Sequence, residues 1–153
     1  MGFGNDKMGS DLIALKMSEI IYAQALRTYL NTEGKHHPVL AGFADQRIIR
    51  ALKAIHADPA YPWTLESLSS HAGLSRTSFA TKFATYLAVT PLNYITQWRM
   101  QIARQLLITS NDPIIKVAEN TGYQSEAAFG RVFKKYFDIG PATFRRRHHE
   151  ANA

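Results

Sequence analysis

The chain has 153 residues, 46% of them hydrophobic, with 18 lysines and arginines against 12 aspartates and glutamates. That is enough for one full domain and an appendage of ordinary globular composition. The lack of cysteine excludes disulfides, thiolate metal sites and cysteine nucleophiles; with no long apolar run and no secretory pattern in residues 1–7, a soluble cytoplasmic protein is expected, without membrane contact.

Residues 11–30 read as a first helix with Asp11 as its cap. Its apolar residues fall on two stripes, Ile13, Met17 and Ile20 on one and Leu15, Tyr22, Leu26 and Tyr29 on the other. A helix apolar on two sides wants more than one partner, which makes residues 11–30 a candidate homodimer contact. A polar loop at 33–38 separates it from a second helix over about 44–57, which turns Ile48, Ile49, Leu52 and Ile55 inward. Asp58, Pro59 and Pro62 end that helix.

Residues 64–88 then read as helix, turn, helix. Leu65, Leu68 and Ala72 share one helical face, and Gly73 supplies the left-handed residue that closes the helix. Ser75 offers a hydroxyl to cap the next helix, where Phe79, Phe83 and Leu87 recur every four residues. This is a helix-turn-helix unit, whose second helix enters the DNA major groove. Residues 92–110 form a connector helix with Ile95, Trp98, Ile102 and Leu106 on its inner face. Its length, roughly 28 Å at about 1.5 Å per residue, suits two reading helices about one DNA turn, roughly 34 Å, apart.

A second unit follows over 113–137. Asp112 is expected to cap its first helix with Pro113 at the first helical position, and Gly122 to end it. Ser125 starts the next helix, with Phe129, Phe133 and Phe137 as its core face. Gly140-Pro141 opens a last helix, after which Arg145, Arg146 and Arg147 are expected to trail in part as a flexible arm, with 148–153 as a tail. The two units are copies. Phe79, Phe83, Pro91 and Tyr94 reappear as Phe129, Phe133, Pro141 and Phe144, and Gly73 as Gly122. Two copies at so long a period make a duplicated supersecondary unit, not a solenoid. Charge is uneven too: residues 1–42 hold four basic and four acidic side chains, while 43–147 hold fourteen basic and seven acidic. An excess of cations on the duplicated part is what phosphate neutralisation requires.

The second copy, Pro113-Ile-Ile-Lys-Val-Ala-Glu-Asn-Thr-Gly-Tyr followed by Ser125, Phe129, Arg131, Phe133, Gly140-Pro141 and Phe144-Arg145, resembles the AraC/XylS family of bacterial transcription regulators. Residues 46–147 have the size of that family's DNA-binding domain. The resemblance implies an all-α fold: two homeodomain-like helix-turn-helix subdomains joined by a connector helix, with the N-terminal helix as an appendage over 1–42 and the DNA-binding domain over 43–147. It implies double-stranded DNA as partner and, since activation is common in the family, contact with RNA polymerase. Base-edge positions carry over to Arg76, Thr77, Ala80 and Thr81 in the first copy, and to Gln124, Glu126, Ala127, Gly130 and Arg131 in the second. Arginine takes guanine bidentately, glutamate accepts from cytosine, and threonine or alanine meets a thymine methyl. Phosphate-facing candidates are Arg99, Lys116, Lys134, Lys135, Arg145, Arg146 and Arg147, which would set register and salt dependence. Helix N-termini at Pro91 and Pro141 could add amide contacts to phosphate.

The sequence departs from the family pattern at Ala88 and Asp138, where glycine is common after each reading helix, and at Gly140, where serine or threonine is common. Asp enters left-handed backbone more readily than Ala, so the turn at Ala88 is expected to be built differently. In longer relatives a β-barrel sensor precedes this domain, and residues 9–40 look like the helical tail joining the two. No strand pattern precedes residue 10, so no barrel is expected here.

Other functions find less support. His36-His37 and His148-His149 are adjacent pairs, which cannot share a helical face as metal ligands do, and no cofactor site is expected. No Ser-His-Asp clustering, phosphate loop or carboxylate pair marks an enzyme. The remaining rival is a short regulator that acts by pairing with full-length relatives through its first helix.

Overall fold

The computed structural model describes residues 45–153. The expected helix over 11–30, its dimer contact, the 33–38 loop, His36-His37 and the 42/43 boundary lie outside the described residues. Among the described residues the structure is all-helical, with seven helices and no strand: α1 Gln46–Ala57, α2 Leu65–Ala72, α3 Arg76–Leu87, α4 Pro91–Thr109, α5 Ile114–Asn120, α6 Glu126–Phe137 and α7 Pro141–Ala151. They divide into two compact units, residues 45–96 and 97–153.

In the first unit α1 packs on α2 and α3. Asp45 caps α1, its Oδ1 accepting from the Arg47 amide at 2.9 Å. The Arg47 guanidinium beside it holds the Asp45 carboxyl below the usual carboxylate range. Thr64 caps α2 in a reciprocal box with Ser67, and Gly73 closes it at φ 71°. The last carbonyls of α2 gain one further donor, because Arg50 of α1 reaches the Ala72 carbonyl at 3.3 Å. Ser75 accepts from the Ser78 amide and so starts α3 where its hydroxyl was expected to. Phe79 and Phe83 are wholly buried, as are Ile48, Ile55 and Leu68.

Tyr94, in the first turns of α4, meets the Phe83 ring edge-on at 5.7 Å, and its hydroxyl lies 2.6 Å from Nε2 of His56 on α1. Burial pushes the His56 imidazole down to about 4 from its ordinary value near 6.5. His56 is therefore neutral in the folded chain, while the unfolded chain takes up a proton below about pH 6.5. Stability from this site is complete above that pH and is lost as pH falls toward 4. Between about pH 7 and about pH 5 the loss should reach at most about 2 kcal/mol. Urea titrations should show this acid loss shrinking in His56→Gln; equal losses in both proteins would mean that other groups carry it.

In the second unit α6 packs on α5 and α7. Ser125 caps α6, its Oγ accepting from the Ala128 amide at 3.0 Å. The core is aromatic: Phe133 meets Phe129 and Phe137 at a tilt and Phe144 edge-on, with centroids 5.8, 4.6 and 5.4 Å away. Trp98, Ile102 and Leu106 of α4 are buried, as their spacing predicts. Thr121 is fully buried and answers its own hydroxyl by donating to the Val117 carbonyl at 2.8 Å.

Three local expectations need correction. Pro113 stands at the cap position of α5 and not inside the helix, and no side chain caps that end. The Asp112 carbonyl is instead taken by Arg145 from α7. The three arginines at 145–147 form no loose arm, because α7 continues to Ala151. The turn at Ala88 is not built differently. Ala88 and Asp138 both close their helices in left-handed backbone, at φ 59° and 68°, each amide donating to the carbonyl four residues back. Alanine's Cβ strains there, whereas glycine's absence of one would not. Ala88→Gly should therefore stabilise the chain by about 1 kcal/mol in thermal unfolding; a loss of stability would refute the strain.

Candidate nucleic-acid interface

Each unit presents one helix whose buried side is phenylalanine and whose exposed residues are mostly polar or small. In α3 the side chains of Arg76, Thr77 and Thr81 are exposed and Ala80 is half-exposed. In α6 Glu126, Ala127 and Arg131 are exposed, Gly130 is half-exposed, and Gln124 lies exposed just ahead of the Ser125 cap. Serine capping decides which residues begin each helix, and the Phe period decides which side turns inward, so these exposed sets follow from the sequence pattern. Arg131 forms no ion pair with Glu126. Lys134 and Lys135 continue the exposed surface of α6 into its last turn, where they also suit the helix dipole.

Gly130 is unusual for a helix interior. A Cβ added there would meet nothing within 4 Å, and its backbone does not need glycine. Packing therefore does not account for it.

The expected phosphate-facing cations separate into two groups. Lys116, Lys134, Lys135, Arg146 and Arg147 are exposed. Arg145 is not turned outward: its Nε donates to the Leu107 carbonyl at 3.2 Å and its Nη1 to the Asp112 carbonyl, while Nη2 is buried. Burial lowers its pKa. It braces α7 to the end of α4 and the loop before α5. Arg99 is half-buried against Gly122 and Tyr123, and burial lowers its pKa as well. Both guanidinium groups are turned into the fold, where a carbonyl or an aromatic ring offsets part of the desolvation that burial imposes on the cation. The sequence reading missed Tyr123; its signal was an aromatic at the position where the first copy has Leu74.

At the helix N-termini, the Thr90 hydroxyl accepts from the Asn93 amide at 3.3 Å, whereas Gly140 gives α7 no side-chain cap. A shallow cavity of about 490 Å³ lies over α7, lined by Ile114, Arg145, Arg146 and His149 among others. Among the described residues no group of three or more His, Asp or Glu could hold a metal ion, and no helix is long and apolar enough to cross a membrane.

A family model described as a helix-turn-helix domain matches 68–147. The transcriptional regulator AlkR of Acinetobacter baylyi is 36% identical over 139 residues, covering 91% of this chain and 45% of AlkR. The transcriptional activator RclR of Escherichia coli, specific for RCS by its name, is 30% identical over 139 residues, covering 91% of this chain and 49% of its own length. The chain thus spans about half the length of these curated relatives. Among solved structures, the C-terminal domain of AraT, a response regulator from Geobacillus stearothermophilus, matches with TM-score 0.63 and 27% identity, over 66% of this chain and 84% of that one. The DNA-binding domain of AdpA, solved with a target DNA, shares the fold with TM-score 0.65 at 24% identity, over 70% of this chain and 96% of that one.

Proposed function

This chain belongs to the AraC-type helix-turn-helix family, and from that membership we propose that it is a sequence-specific DNA-binding transcription regulator, reading two successive major-groove segments of one duplex with α3 and α6. The observation that carries this reading is the surface of α6, where Arg131, in no ion pair among the described residues, stands exposed beside Ala127 and the open space at Gly130. Arg131 and Arg76 are the base-reading arginines; Thr77, Ala80, Thr81, Gln124, Glu126, Ala127 and Gly130 complete the two reading sets. Lys116, Lys134, Lys135, Arg146 and Arg147, with the uncapped start of α7, contact phosphate. Transcription is activated through contact with RNA polymerase, the mode the family resemblance favours.

Selection of bound duplexes from a random pool by the 153-residue chain tests this. Two enriched blocks about one helical turn apart are expected. No enrichment over random duplex would refute the reading and leave pairing with longer relatives as the alternative.

Gly130 gives the reading a second, separable test. Alanine fits its space and favours helix by up to about 1 kcal/mol, so Gly130→Ala should raise the melting temperature. If the glycine is there to let DNA come close, the same variant should bind the selected duplex more weakly. Undiminished binding would take Gly130 out of the interface.

A further inference from the structure

Arg99, on the connector helix α4, is half-buried. Its guanidinium lies on the α-carbon of Gly122: a Cβ there would stand 2.9 Å from Cζ, 3.0 Å from Nη2 and 3.1 Å from Nε. Three near-equal distances mean that the planar group lies flat on the turn between α5 and α6. Cζ is also 5.8 Å from the Tyr123 ring centroid, and the Tyr123 ring meets that of Phe129 at 5.6 Å. Phe129 is fully buried and belongs to α6. A continuous line of contacts therefore runs from the connector, through the turn, to the inner face of the helix that bears Arg131. Burial also raises the Tyr123 phenol, opposed by the nearby Arg99 cation, which fits a shared half-buried setting for the two groups.

We propose that Arg99 is a positioning residue for α6: its flat guanidinium, seated on Gly122 and against Tyr123, fixes the turn from which the reading helix starts. The inference rests on the function proposed above and replaces the phosphate contact expected of Arg99. Gly122 is then glycine for two reasons, its left-handed φ of 92° and the room that the guanidinium needs. Shape and charge separate the two roles. A phosphate contact needs a cation, which lysine supplies. A seat on a turn needs a plane, which lysine lacks.

The experiment compares Arg99→Lys and Arg99→Met with the wild-type 153-residue chain, each shown by circular dichroism to be folded. Binding is measured to the selected duplex, to that duplex altered in the block read by α6, and to one altered in the block read by α3. Both variants should lose roughly tenfold of the discrimination in the α6 block, the scale of one good base contact. Discrimination in the α3 block, and the slope of log affinity against log salt, should stay as in wild type. If Arg99→Lys keeps full discrimination in the α6 block, the proposal is overturned. It is overturned as well if Arg99→Met weakens all duplexes alike and flattens the salt slope by about one, the mark of a phosphate contact. Should the methionine variant fail to fold, the lysine variant decides alone. A wild-type chain without sequence preference overturns the function proposed above, and that outcome is visible before any variant is compared.

Discussion

Replacing Phe133 by alanine is expected to lower the unfolding free energy by about 3–5 kcal/mol. The ring is wholly buried and is the hub of its unit: three other phenylalanine rings, on α6 and α7, touch it within 5.8 Å. Truncation there leaves a cavity whose walls lose their dispersion contacts. A small domain holds only about 5–15 kcal/mol in all, so the loss is a large share of it. Urea unfolding followed by circular dichroism measures it. Because the chain forms two compact units, the transition should be checked for a second step, with Phe83→Ala as the matching variant in the other unit. A loss below about 1 kcal/mol for Phe133→Ala would mean that the aromatic cluster is not what holds the second unit together.

Much of this architecture was readable from residue spacing. The repeat of Phe79 and Phe83 as Phe129 and Phe133, each between serine-capped starts and closing turns, located α3 and α6, because residues four apart lie on one face of a helix. Ser75 and Ser125 fixed where those helices begin, since a hydroxyl that accepts from the amide three residues on is a local device, indifferent to tertiary context. The connector's inner face came out as spaced, with Ile95, Trp98, Ile102 and Leu106 all buried.

What spacing did not reveal is where long cations turn. Arg99, Arg145 and Lys134 look alike in a string of letters, but a flexible side chain goes to whatever acceptor its own fold brings near. For Arg145 that was the Leu107 and Asp112 carbonyls, which are 38 and 33 residues away in sequence. Ala88 shows the opposite failure. A residue that dislikes left-handed backbone suggested a different turn, yet Ala88, its amide donating to the Ala84 carbonyl, adopts the same left-handed cap as Asp138 in the other copy. Tertiary demand outweighed a local preference worth about 1–2 kcal/mol.

Arg131→Ala and Lys134→Ala should fail in different ways, although both remove one positive charge from the same helix. Arg131 is exposed in the middle of α6, next to Gly130, where an added Cβ would meet nothing within 4 Å. Its planar fork donates two parallel hydrogen bonds and so matches a pair of adjacent acceptors, such as guanine O6 and N7. Removing it should cost about 1–3 kcal/mol on the selected duplex and almost nothing on a duplex already changed at the base it reads. Lys134 is a point charge in the last turn of α6 and carries no such geometry. Its removal should weaken selected and random duplexes alike and flatten the salt slope by about one. Titrations of both variants on both duplexes, at several salt concentrations, separate the two effects. Should Arg131→Ala lower the affinity for every duplex equally and change the salt slope as Lys134→Ala does, Arg131 is a phosphate contact, and α6 reads its site through other side chains or through DNA shape.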